Sequence, residues 1–148
     1  MMQPQSVGEL KKALEKLQES IFEGVSPIRV HPVRVYTQEI IPKGGVVEFT
    51  IESWEKYSAV VVTVKASYDP NATSGVRVRW LYSADGQNFD SPEDAEGVGN
   101  YDDLSFQAGS VRQRTILIPL FLPYVRIQIV NLDLNYGVTV DAWYAFMR

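Results

Sequence analysis

At 148 residues and 16.7 kDa the chain has room for one domain with a single substantial core and a short appendage. Hydrophobic residues at 45% and charged residues at 22% exclude a disordered tail. A net charge of -4 and a pI near 5.0 weigh against nucleic acid, whose phosphates demand clustered positive charge.

The chain has no cysteine, so neither a disulfide framework nor a thiolate metal site can form. The opening MMQPQSVGELKKALEK holds no apolar stretch of a secretory leader. No apolar run approaches the ~18 residues of a membrane span. The expected location is the cytoplasm or a virion-like particle, with no membrane partner.

The pattern divides the chain into a helix at 1–24, a linker at 25–32 and a β domain at 33–148. Between Ser6 and Glu23, Val7, Leu10, Leu14, Leu17 and Ile21 step by three, four, three and four, the a/d seam of a short heptad pattern. Ser6 with Glu9 forms a capping-box pattern, and Gly24 suits a C-cap. So short a helix is marginal in water and must pack. One partner is its own domain; the other is the same helix in neighbouring copies, with three chains favoured. The linker carries two prolines and His31, the one histidine, read as a bystander rather than a base or ligand.

From Val33 onward the sequence is strand after strand, separated by Gly, Pro, Asn and Asp. The alternation in AVVVTVKASY and VRVRWLYS turns Val60, Val62, Val64, Val78 and Trp80 inward and Arg77, Arg79 and Leu81 outward. Asp85-Gly86 supplies the residues a tight turn needs. Asp90 to Leu104 reads as the one long irregular stretch of the domain; taken from Asp85 to Asp103 it carries seven acids and no Lys or Arg, a solvated acidic loop without the ligand spacing of a calcium site. YVRIQIVNL and VTVDAWYAFM then bring Ile127, Ile129, Val140 and Tyr144 inward and turn Trp143 outward. About eight strands with no helix between them exclude a parallel sheet. The expected fold is all-β, an antiparallel β-sandwich of jelly-roll type with a short N-terminal α-helix, a small closed barrel being the alternative.

Two segments, Tyr82-Ser83-Ala84-Asp85-Gly86-Gln87-Asn88-Phe89 and Pro123-Tyr124-Val125-Arg126-Ile127-Gln128-Ile129-Val130-Asn131, are followed by an aromatic-rich final strand. Over about Val46 to Phe146 this order resembles the β-sandwich modules of bacteriophage and virus-like virion proteins, and also discoidin-like carbohydrate-binding domains. The helix joined to a sandwich is similar to trimeric fibre and appendage proteins. The cysteine pair of many discoidin-like domains is missing, so no sugar-binding residue carries over.

The resemblance implies a non-catalytic structural or assembly protein, with partners among its own copies or other virion proteins. The alternative is a carbohydrate-binding module, with Trp143, Tyr101 and Tyr136 as exposed aromatics for a glycan. No nucleophile–base pair, phosphate loop or metal cluster is spelled out, so no enzyme and no cofactor are expected. Arg77 with Arg79, and Arg112 with Arg114, alternate on two strands. Were those strands neighbours, the four would form a basic stripe open to the acidic loop of another subunit.

Overall fold

The computed structural model describes residues 8, 10–15, 31–53 and 57–148. Eight strands lie among them: β1 (Val33–Ile41), β2 (Val46–Glu52), β3 (Ala59–Tyr68), β4 (Val76–Ser83), β5 (Tyr101–Asp103), β6 (Val111–Pro119), β7 (Tyr124–Asn131) and β8 (Val138–Met147). A helical stretch at residues 10–15, here α1, precedes them, and α2 (Pro92–Gly97) falls between β4 and β5. Val7, Leu17 and Ile21 of the heptad seam, and the cap positions Ser6, Glu9 and Gly24, lie outside the described residues.

The strands form two antiparallel four-stranded sheets, in the orders β1-β8-β3-β6 and β2-β7-β4-β5. Strand 1 pairs with 8, 2 with 7, 3 with 6 and 4 with 5, so the chain is one long antiparallel ribbon rolled into two layers. That is the jelly-roll order the sequence pattern predicted.

Period-2 alternation decides what lies between the layers. Val60, Val62, Val64 and Ala66 of β3 are buried against Val76 and Val78 of β4, Val125, Ile127 and Ile129 of β7, and Val140 and Ala142 of β8, in one continuous core. Tyr144 belongs to it as a half-buried neighbour stacked on Phe49, with ring centroids 6.0 Å apart. Tyr57 stacks on Phe146 at 4.5 Å and closes that end.

The opposite end is closed by polar groups the alternation did not reveal. Asn131 Nδ2 donates to the carbonyls of Ile41, Pro42 and Tyr136, fastening the β7–β8 loop to the β1–β2 turn. Asp133, 1% exposed, accepts from the backbone N–H groups of Thr73, Ser74, Asn135 and Tyr136 at 2.7–3.1 Å. Those bonds pull its pKa from 3.8 down to about 2, the Thr73 N–H having the largest effect.

Asp85 and Gly86 do make a tight turn. Gly86 has φ +76, and a Cβ there would meet the Tyr124 ring at 3.0 Å, so glycine is required on both grounds. The Asp85 carboxylate caps the turn through Gln87 N, Asn88 N and Asn88 Nδ2, and these bonds hold it well below the usual carboxylate range, the Asn88 N–H foremost. The strand that pairs with β4 beyond it is β5, fifteen and more residues later. The expectation of an irregular Asp90–Leu104 loop is therefore corrected: Ser91 Oγ accepts from Asp94 N at 3.1 Å as the N-cap of α2, Pro92 opens the helix, and β5 follows. The helix lies on the outer side of β4, and Ala95 and Leu81 are both buried there.

Candidate interaction site

Rolling the ribbon brings the edge of one sheet, β5, beside the edge of the other, β6. Between them opens a cleft of ≈ 420 Å³. Trp80 and Tyr82 of β4 and Ile116 and Leu117 of β6 make its apolar part. Asn100, Asp102 and Arg114 supply polar groups, and Phe121 stands at its mouth. Leu10 of α1 also lines it, so the N-terminal helix reaches the sandwich at this cleft. Tyr82 is anchored by donating its hydroxyl to the Pro119 carbonyl at 2.5 Å, and burial pushes its phenol pKa well up. The Phe121 ring lies 5.6 Å from that of Tyr82 and is 76% exposed; Val98, at the end of α2, is 75% exposed.

The four arginines do not form a stripe. Arg77 and Arg79 sit on β4 in one sheet, whereas Arg112 and Arg114 sit on β6 in the other, because the ribbon pairs β6 with β3 and β4 with β7. The acidic segment of the same chain meets three of them. Arg77 pairs with Glu96, and with Asp103 through Nε at 2.7 Å; Arg79 pairs with Glu96 at 2.7 Å; Arg114 pairs with Asp102 at 2.9 Å, across the two sheet edges. Arg112 donates to Gln107 Oε1 at 2.6 Å. These bonds raise the Arg77 pKa, its hydrogen bond to Asp103 foremost. They lower that of Glu96, chiefly through its hydrogen bond from Arg79. Three of the segment's seven carboxylates, Glu96, Asp102 and Asp103, are thus paired with arginines of the same chain, while Glu93 and Asp94 are exposed.

The pairing continues across the outer face of that sheet. Arg79 Nε donates to Gln128 Oε1 at 2.7 Å, Gln128 Nε2 donates to Glu48 at 3.0 Å, and Arg126 lies 3.3 Å from Glu48 and 3.9 Å over the Phe89 ring. On the other sheet, Asp141 is buried although its position faces outward. Arg34 pairs with it at 2.6 Å, and Gln38 N donates to it at 3.0 Å from an irregular stretch of β1 where Gln38 has φ 50. Its pKa is lowered, the Gln38 N–H contributing most.

Of the aromatics proposed for a glycan, Trp143 is half-buried, with the Arg34 guanidinium 4.9 Å from its ring centroid. Tyr101 is 37% exposed at the cleft, and the Arg77 guanidinium lies 4.3 Å from its ring. Tyr136 is at the far, Asn131–Asp133 end. The structure therefore does not gather the three. Of the heptad seam, Leu10 lines the cleft and Leu14 is half-buried. The cleft residues Trp80, Tyr82, Ile116 and Phe121 were absent from the sequence-derived site, since convergence of β5 and β6 is a property of the roll. Among the described residues no three His, Asp or Glu side chains converge as metal ligands, and no helix is long and apolar enough to cross a membrane.

No family model matches the chain, and no curated protein does. Solved structures similar to it include a family GH115 4-O-methyl-α-glucuronidase with specificity for decorated arabinogalactans, at 16% identity and a TM-score of 0.43 over 71% of this chain. Dimeric latent PorU from Porphyromonas gingivalis is similar at 12% identity and a TM-score of 0.39 over 81% of this chain. The chain spans 14% and 13% of those two chains, respectively.

Proposed function

We propose that the protein is a non-catalytic assembly component, a jelly roll that associates with its own copies in a particle or appendage. The observation that carries this reading is the cleft between β5 and β6, an apolar recess reached by Leu10 and bordered by the exposed Phe121. An exposed apolar side chain beside an apolar recess, with polar groups around it, is a pattern that marks protein-interaction sites. The surrounding carboxylates Glu96, Asp102 and Asp103 are each held by an arginine of the same chain, so they act as struts of the fold.

Sedimentation velocity at tens of micromolar tests it. The full chain is expected to sediment as a defined multiple of 16.7 kDa, three copies being the number that the resemblance to trimeric fibre and appendage proteins implies. Leu14→Asp with Leu17→Asp should lower that state and leave the β circular-dichroism signal intact. A full chain that sediments as a monomer would remove the reading.

A second reading, glycan binding, is favoured by one observation: the part-exposed Tyr101 stands beside Asn100, Asp102 and Arg114 in the same cleft. A ring with neighbouring polar groups suits a sugar face and its hydroxyls. A glycan array probed with the protein, Tyr101→Ala and Trp143→Ala decides it. Binding that Tyr101→Ala abolishes would put this reading first; the assembly reading expects none.

A further inference from the structure

We infer that the β5–β6 cleft is an exchange seat for the N-terminal helix: a second copy's α1 inserts Leu10 into it in the assembly, as the chain's own α1 does in the isolated protomer. The inference rests on the self-association reading and names its surface. Three observations support it. Leu10 lines the cleft together with Trp80, Ile116 and Phe121, so the recess accepts an apolar side chain of this helix. With that leucine in place, Phe121 of the cleft remains 76% exposed, so one helix does not cover the surface. Finally, residues 16–30 separate α1 from the sandwich in sequence, and fifteen residues reach up to about 50 Å when extended. The helix can therefore meet the same seat in its own chain or in a neighbour, which is the condition for swapping an identical element between protomers. A short helix whose Leu10 and Leu14 are only half-buried has little stability of its own, so the exchange carries little penalty.

The absence of native cysteine makes the test direct. Full chains carrying Leu10→Cys alone and Phe121→Cys alone, with tags of different size, are mixed, oxidised and run without reductant. The expected result is a hetero-disulfide band, together with a protomer-sized intramolecular disulfide in the Leu10→Cys, Phe121→Cys double variant. Ile40→Cys, exposed on the opposite edge strand, replaces Phe121→Cys as the collision control and should give no band above background. An oligomer whose double variant closes only within one chain overturns the exchange and leaves self-association standing. A monomer that closes within its chain overturns self-association and the exchange with it, while the seat survives. Absence of both disulfides overturns the seat itself.

Discussion

Asp133 shows most plainly what one side chain does here. Its two oxygens take four backbone N–H groups from two loops, so replacing it leaves buried donors with no acceptor, the costly side of hydrogen-bond energetics. Asp133→Asn keeps the shape but turns one acceptor into a donor facing N–H groups. It should lower the melting temperature more than Asp102→Asn, whose carboxylate meets an exposed arginine; equal shifts would contradict the role. The pH dependence follows. Asp133, Asp85, Asp141 and Glu96 all have depressed pKa values in the folded chain, so between about pH 4 and 2 the unfolded chain binds more protons. Their stabilisation is complete above pH 4 to 4.5 and is lost as pH falls toward 2, which thermal melts across that range will record. A melting temperature that stays flat down to pH 2 would contradict this. Arg79 is the hinge of the row Glu96–Arg79–Gln128–Glu48, and Arg79→Ala should cost about 1–3 kcal/mol in urea unfolding.

At the scale of elements, the strands were legible because alternating Val, Ile and Tyr in β3, β4, β7 and β8 meet a two-sided environment that rewards period 2. The same rule hid α2, six residues long and so too short to show a helical period; its signature was the Ser91-Pro92 start with Glu93 and Asp94 behind it. Ser91→Ala should destabilise by about 1 kcal/mol through loss of that cap. Buried Asp141 and Asp133 escaped the pattern too, since their partners come from an irregular edge strand and a distant turn. Pairing of the arginines depended on strand order, which a single strand's sequence does not encode. Three of the four sheet edges are poor templates for strand addition: β1 is irregular, β5 is three residues long, and β6 carries Arg112 and Arg114, whereas the β2 edge is regular over seven residues.

For the whole molecule, rolling a single ribbon sets both the core and the cleft. Closing β1 to β8 and β2 to β7 leaves β5 and β6 on the opposite side, joined by the Arg114–Asp102 pair beside an apolar recess. Self-association through that recess and the helix that reaches it is the central claim. Light-scattering mass of the full chain, set beside that of the chain lacking residues 1–24, tests it most directly. The account predicts a multiple of 16.7 kDa for the first and a lower assembly state with an unchanged β signal for the second. A single-protomer mass for the full chain, or the same multiple after the deletion, would contradict it.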